Sequence, residues 1–151
     1  MKVALGCDHA GYALKDVISA CLQSSGHEVI DEGTSSADSC DYPDFAAKVA
    51  RKVATGDAER GVVICATGIG MSMAANKVPG IRAALCNDLY TARLSRLHND
   101  ANVLALGARI IGPGLAEEIV RTWMETVFEG GRHARRVGKF GEIEERNGGR
   151  P

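Results

Sequence analysis

The 151-residue chain has no long hydrophobic run. Its longest apolar stretches, 62–66 and the mostly apolar 102–106, fall far short of the ~20 residues that span a bilayer, so no transmembrane segment or membrane partner is expected. It also has almost no excess of one charge: 18 Lys and Arg against 19 Asp and Glu leave a formal net charge of −1. That balance argues against a nucleic-acid-coating protein, because neutralising phosphates needs a surplus of cations. The opening residues carry one Lys and a short apolar stretch broken by Asp8 and His9, which is not the pattern of a secretory signal. The five cysteines (Cys7, Cys21, Cys40, Cys65, Cys86) are odd in number and scattered, without a Cys-x-x-Cys pair. Neither a disulfide framework nor a structural zinc site is expected, and a reduced, cytoplasmic setting fits. Most of these thiols should be small buried hydrophobes. What remains, 45% hydrophobic and 25% charged residues, is the composition of one globular domain.

Short apolar runs alternate with helical patterns. Residues 3–5, 28–30, 62–65, 81–86 and 103–106 read as strands. The run Val62-Val63-Ile64-Cys65 is wholly apolar, as a parallel strand buried on both faces requires. Helical spacing marks 10–24, a segment starting at Asp41-Tyr42-Pro43 and closed by Gly56, then 71–77, 89–97 and 115–128, the last opened by Pro113-Gly114. The alternation predicts an α/β fold: a doubly wound, Rossmann-like, five-stranded parallel sheet. We expect the domain to span 1–128. Residues 129–151 hold few large apolar groups and six basic ones, Arg132, Arg135, Arg136, Lys139, Arg146 and Arg150. Because Phe140 and Ile143 interrupt that polarity, the segment is expected to dock as an arm on the domain or on a partner subunit.

Ligands of open parallel sheets bind beyond the carboxyl ends of the strands, so those ends are where chemistry is sought. Strand one is followed by Cys7-Asp8-His9, strand three by Cys65-Ala66-Thr67-Gly68-Ile69-Gly70, and strand five by Gly107-Ala108-Arg109. With His98-Asn99 before strand five, an acid, two histidines, a thiol and an arginine are expected on one rim. Each has two readings at this point. Gly68 and Gly70 make either a nest of backbone N–H groups for an anion or an ordinary tight turn. Cys65 is a nucleophile or base, or a core thiol ending its strand. Asp8 either caps the first helix or serves the site, and His98 is a helix-end histidine or an acid. Arg132 and Arg136, four apart, form a phosphate clamp if helical, or a solvated stretch.

Six separated segments decide between these readings: Asp8-His9-Ala10-Gly11, Asp41-Tyr42-Pro43-Asp44, Thr67-Gly68-Ile69-Gly70-Met71-Ser72, Ala74-Ala75-Asn76-Lys77, His98-Asn99-Asp100-Ala101-Asn102-Val103 and Gly130-Gly131-Arg132-His133. In this order they resemble the B-type ribose-5-phosphate isomerases and the related allose- and galactose-6-phosphate isomerases. The resemblance implies an aldose–ketose isomerisation of a phosphorylated sugar through a cis-enediolate, without metal or cofactor. It implies Cys65 as the base and Thr67, Gly68 and Gly70 with neighbouring Ala66 and Ile69 as the hole for the enediolate oxygens. His98, helped by Asp8, is implied as the acid that opens the furanose ring. It further implies His9, Arg132 and Arg136 as the phosphate grip, Arg109 and Asn99 as pocket residues, and a homodimer or dimer of dimers with shared sites. Two departures stand out. Ala66 occupies a position usually taken by Gly, and Met71 stands where another branch carries a glutamate base. Having Cys65, His98, Arg132 and Arg136 in one chain favours a pentose over a hexose phosphate. A sugar-phosphate-binding module without catalysis would need neither Cys65 nor His98.

Overall fold

The computed structural model describes residues 1–148; Arg150, counted above among the arm's basic residues, lies outside them. The elements alternate as β1 (Lys2–Cys7), α1 (Tyr12–Ser24), β2 (Glu28–Asp31), α2 (Tyr42–Ala54), β3 (Arg60–Cys65), α3 (Ile69–Ala75), β4 (Ala83–Leu85), α4 (Leu89–Leu97), β5 (Val103–Gly107), α5 (Pro113–Glu125) and α6 (Arg132–Asn147). The five strands form one sheet in the order β2-β1-β3-β5-β4, and every pairing is parallel. The expected α/β doubly wound architecture is what forms.

The period of two in each strand sorts side chains into two cores. Val3, Leu5, Val62, Ile64, Leu104 and Leu106 face one layer with α1, α4 and α5, around the fully buried Trp123. Ala4, Val63, Cys65, Val103 and Ala105 face the other, with α2 and α3. Cys65 thus projects to the α3 side of the sheet, at the end of a strand buried along its length.

Three boundaries differ from the sequence reading. Strand β4 covers only Ala83–Leu85, because Ile81 turns into the α2–α3 core and Asn76 holds Ala83 through both its amide atoms. Helix α3 begins two residues earlier than expected, at Ile69, launched directly from Gly68. Helix α5 stops at Glu125, where the extended Thr126 leads the chain away and Glu129 N–H donates to Leu97 O at 3.0 Å. The described arm is an amphipathic helix, α6. It rests on the domain through buried His133 and a bond from Gly80 N–H to the Glu144 carboxylate. Phe140, Ile143 and Glu144 also border a cavity of about 410 Å³ beside β4. No helix of the described residues is long and apolar enough to cross a membrane.

Candidate active site

Strands β1 and β3 are neighbours whose chains leave toward opposite layers, α1 to one and α3 to the other. Their carboxyl ends therefore flank the crevice at which open α/β sheets bind ligands. Cys65, the last residue of β3, is buried. The Gly68 N–H donates to its Sγ at 3.1 Å. Gly68 sits at φ 79°, in the left-handed region, and a Cβ there would run into Leu85. The loop Cys65–Gly68 so curls back on the thiol before α3 starts. Ile69 N–H is drawn to Thr67 Oγ1 at 3.3 Å, while the Gly70 and Met71 amides belong to the first helical turn and have no intrahelical acceptor. Ile69 itself is exposed.

Both departures from the family pattern are accommodated. Ala66 is not among the residues at positive φ, so its Cβ costs the turn no strain. Its carbonyl accepts the Arg109 N–H at 2.9 Å, and Cys65 O accepts the Ala108 N–H at 2.8 Å. Arg109 is thereby anchored beside the loop with its side chain exposed. Met71 is fully buried in the α2–α3 core.

Across the crevice, Asp8 is buried, and its Oδ1 accepts the Ala10 and Gly11 N–H groups at 2.9 and 3.0 Å. Asp8 is not the helix cap, since α1 starts at Tyr12 with Gly11 as its N-cap and no side-chain cap bond; it shapes the turn that presents His9. His9 Nδ1 accepts the Cys40 N–H at 3.2 Å, which puts the proton of the neutral ring on Nε2, ready to donate to an anion. Lys15 fixes the segment carrying Cys40, donating to Asp31 Oδ2 at 2.7 Å and Thr34 O at 3.0 Å. Burial alone would lower the Lys15 pKa, but the Asp31 contact outweighs it and the pKa rises. Beside Lys15, Cys7 is pushed up to about 11 by burial and is an inert core thiol. Tyr42 joins from the start of α2: a Cβ on Gly70 would lie 2.6 Å from its ring, so glycine lets the phenol lie against the nest. Cys40 and Tyr42 were not placed in the site from sequence, although Tyr42 stands in one of the six motifs.

The remaining candidates are elsewhere, which corrects the expectation of a single rim within one chain. His98 caps the carboxyl end of α4, and a helix crossing between parallel strands delivers its carboxyl end to the amino edge of the sheet. Consistently, Glu129 N–H bonds Leu97 O, and Asn102 O accepts from Gly61 at the start of β3. Gly61 and Cys65 are separated by about 13 Å of strand rise. His98, exposed Asn99, and exposed Arg132 and Arg136 on the first turns of α6 form a second group at that amino edge. Its frame is Asp100, at φ 46°, which accepts from Arg96 at 2.7 Å and Arg82 at 3.1 Å. The His98 and His133 rings stack with centroids 4.2 Å apart and planes 7° from parallel. Glu129 Oε2 lies 3.8 Å from His98 Nε2 and 3.9 Å from His133 Nε2. Burial first, then neighbouring His98, lowers the His133 pKa. His133 stands in the Gly130-Gly131-Arg132-His133 motif, whereas no sequence pattern singles out Glu129.

The chain matches the Ribose/Galactose Isomerase family over residues 3–140. A solved ribose-5-phosphate isomerase B from Clostridium thermocellum superposes with a TM-score of 0.96 at 58% identity, covering 97% of this chain and 99% of that one. Ribose-5-phosphate isomerase B of Escherichia coli is 52% identical over 145 residues, 96% of this chain and 97% of the relative. The galactose-6-phosphate isomerase subunit LacB of Clostridium acetobutylicum is 46% identical over 129 residues, 85% of this chain and 75% of the relative. With a thiol in a glycine nest at the β1–β3 crevice and these likenesses along nearly its whole length, the chain belongs to the Ribose/Galactose Isomerase family.

Proposed function

We propose that the protein interconverts D-ribose 5-phosphate and D-ribulose 5-phosphate through a cis-enediolate, the pentose isomerisation of the pentose phosphate pathway, using only its own side chains and backbone. The observation that carries this reading is Cys65 Sγ held at the lip of the nest by the Gly68 N–H. A base that moves a proton between C1 and C2 needs donors for the developing oxyanion within reach of the same carbons. The loop 66–70 offers its amides and Thr67 for that purpose. His9, its Nε2 free, donates to the phosphate, whose fixation at the far end orients the sugar. Asp8 contributes by setting the His9 turn.

The amino-edge group completes the site from a second copy of the chain. His98 protonates the furanose ring oxygen, Arg132 and Arg136 grip the phosphate as a clamp on one helix face, and Asn99 lines the pocket. A two-fold dimer, or a dimer of such dimers, brings the carboxyl rim of one copy to the amino edge of the other, so each dimer holds two composite sites. On this reading the arm formed by residues 129–151 serves the partner's site. The six-carbon alternatives, allose and galactose 6-phosphate, have the LacB likeness in their favour. Against them, the thiol, the acid and both arginines are present in this one chain. The test is an isomerase assay on ribose 5-phosphate and allose 6-phosphate with EDTA present. Turnover of the pentose at undiminished rate is expected. Preference for the hexose would replace the substrate, loss of activity in EDTA would overturn the metal-free chemistry, and binding without turnover would leave only a sugar-phosphate-binding module.

A further inference from the structure

The amino edge carries a donor set of which the proposed isomerisation uses only His98. His98, Glu129 and His133 present Nε2, a carboxylate oxygen and Nε2 within 4.8 Å of one another, which no other trio among the described residues does with His, Cys, Asp or Glu. The backbone already joins the two segments that supply them. Glu129 N–H is bonded to Leu97 O, next to His98, and His133 N–H to Gly130 O, both at 3.0 Å. A tetrahedral Zn²⁺ with bonds of 2.0–2.2 Å holds its donors roughly 3.3 Å apart. The Glu129 oxygen, at 3.8 and 3.9 Å from the two nitrogens, needs to close by about half an ångström to reach that spacing. Glu129 is exposed and free to rotate. The imidazoles must turn out of their parallel stack, since lone pairs of stacked rings run side by side. His133 must also give up a long 3.4 Å contact from Arg132 Nε. Two imidazoles and one carboxylate suit borderline ions such as Zn²⁺, Ni²⁺ or Co²⁺ rather than Mg²⁺ or Ca²⁺.

We propose that His98, Glu129 and His133 bind a borderline divalent transition-metal ion, and that the bound ion inhibits the isomerase by occupying His98. The binding stands on the geometry alone; the inhibition rests on the proposed role of His98 in ring opening. Metal held there takes the lone pair His98 would use to receive a proton, so the ring-opening acid cannot be regenerated.

Equilibrium dialysis of the intact protein against Zn²⁺ or Co²⁺, with Mg²⁺ as comparison, measures the site. The cobalt spectrum reports its donors: visible d–d bands without a thiolate charge-transfer band are expected. Glu129→Gln and His133→Gln should each weaken binding at least as much as the roughly 10–100-fold that follows loss of an outer-shell partner. Because His133 is buried and its replacement perturbs packing, exposed Glu129 is the deciding variant. A thiolate band, which would place the ion on Cys65 or Cys40, overturns the proposal. So does binding indifferent to Glu129→Gln. Zn²⁺ should slow ribose 5-phosphate turnover, and Glu129→Gln should relieve that inhibition relative to its own metal-free rate. Tight binding at this trio with undiminished turnover would overturn the inhibitory half and with it the assignment of ring opening to His98, while absent binding would leave that assignment standing.

Discussion

Mixing two inactive variants tests whether the site is divided between chains. Cys65→Ala removes the proposed base, a loss of about 10²–10⁴-fold for a general base. His98→Asn removes the proposed ring-opening acid. His98 lies at the amino edge of the sheet and Cys65 at the carboxyl end of β3, so in the proposed two-fold dimer each site takes Cys65 from one copy and His98 from the other. A hybrid dimer then contains one site with both groups intact and one with neither. If equal amounts exchange freely, half the dimers are hybrids, so roughly a quarter of all sites are restored. The assay is ribose 5-phosphate turnover before and after co-refolding or prolonged co-incubation, with native mass spectrometry to establish that hybrids form. Activity near a quarter of wild type is expected. Hybrids present without recovered activity would mean that both groups serve the same chain's site, and the separation read from α4 and β3 would be wrong.

Arg136→Ala should weaken inhibition by inorganic phosphate by roughly 10- to 150-fold, the equivalent of losing a charge-assisted bond of ~1.5–3 kcal/mol; an unchanged inhibition constant removes Arg136 from the phosphate site. Gly70→Ala places a Cβ 2.6 Å from the Tyr42 ring. Because Tyr42 is exposed and can swing away, denaturant titration should show a loss of only about 1 kcal/mol, at the low end for overpacking, while turnover falls by a far larger factor. Equal, small effects on both would detach Tyr42 and the nest from catalysis. His98→Asn, given ribulose 5-phosphate in deuterated solvent, should still exchange the C1 proton through Cys65 even though ribose 5-phosphate turns over slowly; loss of that exchange in a folded variant would place His98 in the proton transfer itself.

The parts of this molecule that were legible in its sequence are those decided by local pattern. Val62-Val63-Ile64-Cys65 announces a strand buried on both faces, and it is one. The apolar residues 103–106 do the same for β5, and Pro43 and Pro113 mark helix starts that form where they stand. Strand order was not legible, because periodicity identifies an element and says nothing of its neighbour. That β5 inserts between β3 and β4 depends on which apolar faces cover one another. Contacts between distant residues were hidden for the same reason: Cys40 reaches His9 across 31 positions, and Tyr42 meets Gly70 only once α2 packs on α3.

His98 is the instructive error. Its chemistry was readable, but its place was assigned by composition, as a polar residue near strand five, when the direction of the chain decides it. A residue that ends a helix and precedes a parallel strand stands at that strand's amino edge, whatever its side chain. The end of α5 brings the start of α6, with Arg132 and Arg136, to the same edge, where Glu129 N–H bonds Leu97 O. The arm supports this division from its composition. Arg132 and Arg136 are both exposed, one turn apart on α6, in a helix whose docking on its own domain involves His133, Phe140, Ile143 and Glu144 instead. Two guanidinium groups held out on one face, away from the thiol and nest of their own chain, have the placement expected of a clamp that closes on a phosphate in another copy's crevice.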